Sequence, residues 1–364
     1  MWQRRTFIKA AGAAFAAALL PRRAEALERA ELVLASAVQK PSGGFAAALV
    51  SDAGALISTV DLPDRGHDIS FSPTSGLAVA FARQPGTFAV VFDPRGGAEP
   101  KVLSSIAGRH FFGHGVFSPD GRLLYATEND FDNARGVIGI YDVSADFARL
   151  GEFDTFGIGP HEMLLTRDGE AFVVANGGIE THPDYGRAEL NIDSMDPSIA
   201  FISRRDGSLI GQLRLEAGLA QLSIRHMALD ASGRAWFGCQ YKGAPVDQPQ
   251  LVGYATREGE IRLIELPPGD LGDLRNYVGS VAASQDGKLI GISSPEGNTI
   301  LAIDPDRATV VDRLVLENGC GVAPGHAGLL VSSGQGALDG FAGADVAEHR
   351  FDLGFDNHLR LYRG

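Results

Sequence analysis

The sequence is poor in cysteine and in basic residues. It has two cysteines in 364 residues, which excludes a disulfide framework as the main source of its stability. Its 45 acidic residues outnumber 32 lysines and arginines, giving a formal net charge of −13. Because a protein needs a basic face to bind a polyanion, this balance argues against nucleic acid as a partner.

Two further features are missing. No Ser-His-Asp arrangement and no G-x-S-x-G turn around a serine is evident, which argues against a hydrolase of that kind. The apolar run from Ala10 to Leu20 has about half of the roughly twenty residues that are needed to span a bilayer. We therefore do not expect this run to act as a membrane anchor.

The first residues are typical of an export signal. Arg4-Arg5-Thr6-Phe7-Ile8-Lys9 precedes the apolar run, and Ala24-Glu25-Ala26 supplies a small-x-small cleavage site. The paired arginines resemble the twin-arginine type of signal. We predict a signal peptide over residues 1–26, export to the periplasm by the twin-arginine route, and no stable membrane anchor after cleavage.

A histidine returns at the same place in a repeating unit. His67, His114 and His161 are spaced by 47 residues, and His226 follows after 65 because of an insert between about residues 180 and 196. Equivalent residues of a repeat occupy equivalent places in space. These four imidazoles should therefore converge on one locus.

Each repeating unit is typical of a β-propeller blade. After the histidine come a short alternating run, a Ser-Pro-Asp-Gly type of turn such as 118–121, and β-prone runs such as 123–127 and 137–143. Four short strands in forty to fifty residues is the spacing of such a blade. Two further units place Ser280 and Cys320 at the histidine position, which makes six units.

The two ends of the chain complete a seventh unit. Residues 31–62 contain three strand-like runs without a first strand, and residues 356–362 lie about one repeat after Cys320 and fill that gap. We predict an all-β, seven-bladed β-propeller over residues 27–364, closed by pairing the C-terminal strand with the N-terminal blade. Closure removes exposed sheet edges, and it makes His358 a fifth member of the convergent set.

The same repeat separates the two cysteines. Cys239 falls in a second strand of the fourth unit, whereas Cys320 starts the first strand of the sixth. We therefore predict two separate thiols. The outer strands of the sixth unit, between residues 334 and 354, are only weakly marked.

Convergent histidines favour a metal site. Imidazole suits copper, iron, zinc and nickel, and a bound cation would offset the desolvation of several buried imidazoles. We predict transition-metal ligands at His67, His114, His161, His226 and His358. Metal should be lost as these groups protonate near the ordinary pKa of about 6.5. The alternative is a set of channel-lining residues bonded to water or backbone.

Other polar groups follow the second strands on the same face, and the insert over 179–187 should fold across the channel mouth. Long loops on a rigid scaffold often carry function, although a solvated loop is the alternative. Candidate outer ligands or partner-binding groups are Glu128, Asp130, Asn176, Glu180, His182, Asp184, Gln240 and Cys320. His110, His326 and His349 fall out of register and are predicted to be surface or turn residues.

The leader, the stretch from Asn176 to Pro183, the segment Met195-Asp196-Pro197-Ser198 and the closing Asp356-Asn357-His358-Leu359 resemble the bacterial domain-of-unknown-function family 1513. The resemblance covers essentially the whole mature chain. It implies an exported propeller-like protein, often encoded beside imelysin-type peptidases and haem-containing thiol-oxidoreductase-like proteins, in a setting of periplasmic iron handling. It implies no catalytic residues.

Three functions fit these observations. The first is a periplasmic metal-binding propeller that holds copper or iron, as an accessory in metal acquisition or redox handling. The second is a scaffold that docks other exported, iron-handling proteins. The third is an enzyme, either a lactonase-like hydrolase or a metal-dependent oxidoreductase resembling the histidine-clustered copper propeller of nitrous oxide reduction.

The leader gives a direct test of the export route. Replacing Arg4 and Arg5 by lysine should leave the precursor in the cytoplasm, because lysine does not copy the planar guanidinium pair that the twin-arginine receptor reads. Cell fractionation and immunoblotting measure the exported share. Replacing Arg22 and Arg23 by lysine is the matched control and should leave export intact. Undiminished export of the Arg4 and Arg5 variant would instead indicate the general secretory route.

Overall fold

The computed structural model describes residues 30–363, so the predicted signal over residues 1–26 lies outside the described part. Within this range the chain forms 29 β-strands and one helix of six residues, α1 (Pro268–Asp273). No helix in residues 30–363 is long and apolar enough to cross a membrane. The predicted all-β class is confirmed.

The strands form seven antiparallel sheets, one for each blade. The N-terminal sheet is called the closing blade, and the others are blades one to six in chain order. The closing blade begins with β1 (Val33–Gln39), β2 (Phe45–Ser51) and β3 (Leu56–Leu62). Blade one comprises β4 (Gly66–Phe71), β5 (Ala78–Ala82), β6 (Phe88–Phe92) and β7 (Lys101–Ser104). Blade two comprises β8 (Arg109–Phe117), β9 (Leu123–Asp130), β10 (Arg135–Asp142) and β11 (Ala148–Asp154). Blade three comprises β12 (Pro160–Leu165), β13 (Ala171–Asn176), β14 (Ser198–Ser203) and β15 (Leu209–Leu213).

Blades four to six repeat the pattern, and the chain then returns to the closing blade. Blade four comprises β16 (Leu222–Leu229), β17 (Ala235–Tyr241), β18 (Val252–Ala255) and β19 (Ile261–Leu263). Blade five comprises β20 (Ser280–Ala283), β21 (Ile290–Ser294), β22 (Thr299–Asp304) and β23 (Thr309–Val315), and blade six comprises β24 (Gly319–Pro324), β25 (Leu329–Ser333), β26 (Ala337–Phe341) and β27 (His349–Arg350). The closing blade is completed by β28 (Gly354–Phe355) and β29 (Arg360–Arg363). Single turns of 3-10 helix lie at Phe131–Asn133, Pro183–Tyr185, Ile192–Ser194 and Ala217–Leu219.

The hydrophobic core lies between neighbouring blades. Middle strands are buried along their whole length, as in β5 and β13, because a blade covers each of their faces. Outer strands such as β23 are mostly exposed. This explains why middle strands are continuous apolar runs while outer strands are mixed. One apolar cluster, for example, joins Phe81 of blade one to Phe111 and Leu124 of blade two.

The turn after each first strand has a chemical basis in its sequence. Ser118 Oγ donates a hydrogen bond of 2.5 Å to Asp120 Oδ1, and Gly121 adopts a φ of 69° that a side chain would disfavour. Ser284 and Asp286 repeat this contact at 2.7 Å in blade five. The Ser-Pro-Asp-Gly pattern therefore marks a structural turn.

The C-terminal strand closes the propeller as predicted. β1 pairs with β2 on one side and with β28 and β29 on the other. Leu361 lies opposite Leu34, and Phe355 lies opposite Val38. The last strand of the chain therefore becomes the innermost strand of the first blade. The weakly marked outer strands of blade six are β26 and the two-residue β27.

This pairing predicts that the C-terminus stabilises the whole propeller. Deleting residues 356–364 should lower the free energy of unfolding by several kcal/mol, because it removes the buried Leu359 and exposes the edge of β1. Urea denaturation of the mature protein measures the loss. Val246→Ala, at a side chain that is 86% exposed, is the control and should change the value by less than about 0.5 kcal/mol. Unchanged stability of the truncated chain would contradict the closure.

Candidate metal site

Five first strands bring five histidines to the axis of the propeller. His67, His114, His161 and His226 lie in β4, β8, β12 and β16, and His358 lies just before β29. Successive imidazole centroids are separated by 4.8 Å (His67–His114), 5.1 Å (His114–His161), 4.6 Å (His161–His226), 4.7 Å (His226–His358) and 4.6 Å (His358–His67). The predicted convergence is confirmed, and these five residues are called the histidine cluster.

The cluster is compact and three-dimensional. In a flat pentagon each diagonal is longer than a side by more than half. Here four of the five separations across the cluster are only 4.7 Å for His114–His358, 5.4 Å for His67–His161, 5.8 Å for His114–His226 and 6.1 Å for His67–His226. The imidazoles are therefore packed against one another and do not form a flat ring.

Irregularities in the first strands aim these side chains inward. The register of β4 against β5 shifts between Gly66 and Ile69, across His67. The first strands of blades two, three and four shift at the equivalent place. The first strand of blade six, β24, also shifts, across Cys320, whereas β20 pairs without a shift and carries Ser280 at this position. The bulge is therefore a feature of most first strands that redirects the side chains around it, and it occurs with a histidine in four of them and with a cysteine in one.

One glycine makes room for the cluster. Gly113 has a φ of 102°, and a Cβ atom placed on it would lie 2.5 Å from Cδ2 of His67. Any other residue would be strained in its backbone and would collide with the imidazole. The Gly-His pair at 113–114 therefore has a packing reason.

Burial favours the neutral form of four of the five histidines. All five side chains are at most 7% exposed. Burial, reinforced by neighbouring imidazoles, lowers the pKa of His67 and His161 well below the ordinary value. Burial also lowers the pKa of His358 well below that value and that of His226 to about 4, in the latter case against the opposing pull of Glu162. Neutral imidazole is the form that binds a metal.

The cluster has nitrogen atoms without hydrogen-bond partners. These are both nitrogens of His67 and Nε2 of His114, His161 and His358, whereas Nδ1 of His226 lies 3.4 Å from Glu162. Because an unsatisfied buried polar group costs about 1–3 kcal/mol, a shared partner would stabilise the cluster.

The geometry fits a metal ion. Ligand nitrogens of His67, His114 and His161 lie within 4.8 Å of one another, and so do those of His67, His226 and His358. Two nitrogens on one ion, each at about 2.0–2.1 Å, are at most about 4.2 Å apart. Small rotations of the side chains would bring the nitrogens to coordinating distance.

Two buried carboxylates and a partly exposed arginine form a layer directly behind the cluster. Asp68 accepts hydrogen bonds from Arg360 at 2.7 and 2.8 Å, and Arg360 also donates to Glu162 at 2.6 Å. Burial alone would raise the pKa of each carboxyl, but Arg360 and the neighbouring imidazoles hold both well below their ordinary values. Asp68, Glu162 and Arg360 are called the charged layer.

The charged layer orients the imidazoles. Nδ1 of His114 lies 3.0 Å from Oδ2 of Asp68, so a neutral His114 carries its proton on Nδ1 and turns the lone pair of Nε2 to the centre. His226 faces Glu162 in the same way at 3.4 Å. Carboxylate behind imidazole is the usual support of a metal-binding histidine. Asp356 lies 3.6 Å from Nδ1 of His67 and is paired with Arg65 and Arg83.

A polar cavity of about 270 Å³ opens the cluster to the face that carries the insert. His67, His161 and His226 form part of its wall, together with Arg225 and Gln240. We call it the mouth cavity. The insert after β13 contributes Ile179, Thr181, Arg187 and Glu189 to this wall, which agrees with the expected position of the insert across the mouth.

Gln240 is the one candidate outer residue of the sequence analysis that lines the mouth cavity. The other candidates lie outside this wall. Glu128 is buried within blade two, where Tyr141 and Arg149 donate to its two oxygens. Asp130 is also buried and binds Arg109 and Arg135. Both carboxylates are therefore committed to ion pairs or hydrogen bonds inside one blade.

The other candidates are engaged elsewhere. Asn176 donates to the carbonyl of Thr155. The backbone of Glu180 is held by Asn191. His182 caps the turn that contains Asp184. Cys320 is buried against the carbonyl of Phe355, and both cysteines are free thiols as predicted.

The prediction for His110 is wrong. It is fully buried in β8, where Nδ1 donates to the carbonyl of Phe111 and Nε2 accepts from Asn129. Both nitrogens are satisfied, so His110 supports the packing under the insert and does not join the cluster. The repeat predicted its separation from the cluster correctly but could not indicate its burial.

Sequence reasoning missed the charged layer and Arg225. The sequence did carry a signal for the two carboxylates, because an acidic residue follows the histidine at both 67–68 and 161–162. In a regular strand these acids would point away from the axis. The bulges bring them beside the cluster, and this is visible only in the structure.

The family assignment can now be tested against the whole chain. The family model described as "Protein of unknown function (DUF1513)" matches residues 60–362. The chain belongs to this family. The match extends from β3 to β29 and contains every histidine of the cluster. The description of the family names no activity.

The comparison with known structures supports the fold and says nothing about function. No curated protein gives a significant match to the chain. Hydrazine synthase from Kuenenia stuttgartiensis is similar in structure, with a TM-score of 0.57 and 16% identity over 79% of this chain and 86% of that chain. Because 1140 solved chains match, and one fold hosts many functions, the function of this protein has to be argued from its site.

The charged layer predicts a strong dependence on Arg360. Arg360→Met should lower the free energy of unfolding by about 3–5 kcal/mol, because it leaves two buried carboxylates without their cation. The triple variant Asp68→Asn, Glu162→Gln and Arg360→Met should recover part of that loss. Arg350→Met, which removes an exposed pair with Glu348, is the control and should change little. Equal urea midpoints for the Arg360 and Arg350 variants would contradict this role.

Proposed function

We propose that this protein binds a transition metal, copper or iron, through the histidine cluster, and that it serves in the periplasm as an accessory in metal acquisition or redox handling. The observation that carries the proposal is the pair of buried imidazole groups that share His67, each of which could hold a metal ion. A metal ion would give several of the imidazole nitrogens a partner at once. No single hydrogen bond between two neutral imidazoles could do so.

The charge behind the cluster supports a cation. Asp68 and Glu162 supply two negative charges, and Arg360 supplies one positive charge. The charged layer therefore has an excess of one negative charge. A metal cation on the imidazoles would offset this excess.

The opening to solvent supports exchange of the metal or its ligands. Structural metal sites are closed by protein ligands, whereas sites that react or exchange keep a position open. Three of the five histidines border the mouth cavity. This favours handling or redox chemistry over a purely structural ion.

The choice of copper or iron rests on two arguments of different kinds. Imidazole donors restrict the ion to the borderline transition metals. The setting implied by the family resemblance favours iron. The all-imidazole donor set suits copper equally well, so both metals are kept in the proposal. Export by the twin-arginine route would allow the metal to be inserted before the folded protein leaves the cytoplasm.

Metal analysis tests this proposal. Protein purified from its native compartment should contain close to one equivalent of copper or iron, and the double variant His114→Ala and His161→Ala should contain almost none, because it removes two of the convergent ligands. His349→Ala is the matched control, since this histidine lies in the outer strand β27, out of register with the cluster. Elemental mass spectrometry measures the content. Equal metal content in the wild type and the double variant would contradict the proposal and favour a docking scaffold.

The same samples give a pH dependence. Ligation needs neutral imidazole, and burial lowers the pKa of His226 to about 4. Metal should therefore remain bound at pH 6, below the ordinary pKa of about 6.5, and leave as the pH falls toward about 4. This replaces the expectation of loss near pH 6.5.

A further inference from the structure

The wall of the mouth cavity carries more positive than negative charge. Arg83, Arg187, Arg225 and Lys242 face Glu189 and Glu296 around it. Lys242 is paired with Glu189 at 2.7 Å, and Arg83 is paired with Asp356 at 3.2 Å. Arg187 and Arg225 have no carboxylate within 4.0 Å among residues 30–363. Two guanidinium groups at this cavity therefore lack an ion pair, and Glu296 on the same wall supplies only a single opposing charge.

Arg225 is the more constrained of the two. Its Nε donates to Ser223 at 3.0 Å, and its Nη1 lies 3.5 Å from Nδ1 of His161. These contacts fix the plane of the guanidinium beside the histidine cluster. They leave Nη2 uncommitted among the hydrogen bonds of the described residues.

The arrangement of these cations calls for an anion. Arg83, Arg187 and Arg225 line one cavity, and like charges held close together are stabilised by a shared anionic ligand.

Neutral donors stand at the same wall. The hydroxyl of Tyr277 accepts a hydrogen bond of 3.4 Å from Asn357, so its own proton is available to a ligand. Gln240 also lines the cavity. A planar guanidinium binds carboxylate or phosphate oxygens in pairs, and hydroxyl and amide groups complete such sites. The size of about 270 Å³ is below the typical range for drug-sized ligands of about 300–1,000 Å³, so the ligand must be small.

We propose that the mouth cavity binds a small oxyanion, bearing a carboxylate or phosphate group, through Arg225 and Arg187. Its place beside the metal rests on the proposed function, whereas its recognition by the two arginines does not. With metal on the histidine cluster, the same anion would lie against the open side of the ion. The cavity would then admit an anionic ligand or an anionic metal complex and would disfavour free cations.

Calorimetric titration of the mature full-length protein tests this proposal. Citrate and inorganic phosphate are the two probes, each added to metal-free and to metal-loaded protein at constant ionic strength. At least one should bind the metal-free protein with one site per chain. Arg225→Met and Arg187→Met should each weaken that binding about tenfold or more, because each removes a charge-assisted contact. The difference between the probes identifies the source of the oxyanion.

Two controls keep the outcomes separate. Arg307→Met removes an arginine on an outer strand connection that is 79% exposed and should leave anion affinity unchanged. Arg187 is itself exposed, so its variant should keep the fold even if that of Arg225 does not. Binding of neither probe, or equal affinity in the wild type and the Arg187 variant, would overturn the proposal. Anion binding without any metal binding would support it and count against the metal site alone.

Discussion

The pairing of β29 with β1 is the contact on which the rest of the molecule depends. It joins the two ends of the chain in one sheet, so that no blade is left with an open inner edge. The same short segment also carries His358 into the histidine cluster and Arg360 into the charged layer. Closure of the fold and completion of the site are therefore one event. A chain that failed to close would lose one histidine of the cluster and leave two carboxylates unpaired.

The centre of the propeller concentrates groups that proteins seldom bury. Five imidazoles surround one point, and two carboxylates share one guanidinium directly behind them. An unpaired buried charge costs several kcal/mol, and the typical net stability of a domain is only about 5–15 kcal/mol. The apolar clusters between blades must support this arrangement. The buried histidine groups at this centre could hold a metal ion.

The two ends of the channel differ in character, and this gives the site a direction. The mouth cavity is polar and cationic, and it borders the imidazoles. The opposite cavity is lined largely by apolar side chains such as Phe71, Val116 and Leu361, and it reaches the charged layer. A charged ligand would therefore approach from the face of the insert. The metal would meet it on the side away from Arg360, whose positive charge opposes passage of a cation through the layer.

The spacing of the histidines and the turn after each of them were sufficient to predict seven blades, the closure by residues 356–362 and the convergence of the cluster. The reason is that equivalent residues of a repeat occupy equivalent positions in the fold. The same reasoning could not predict the inward turn of Asp68 and Glu162, since strict alternation along a strand would place them on the far side of the histidines. It also placed His110 at the surface, although β8 extends far enough under the insert to bury it. The sequence by itself determined the architecture and the five imidazoles. Only the tertiary structure decided their charged surroundings, because bulges, the return of Arg360 from the end of the chain and the meeting of Arg225 with Arg187 depend on contacts between distant segments.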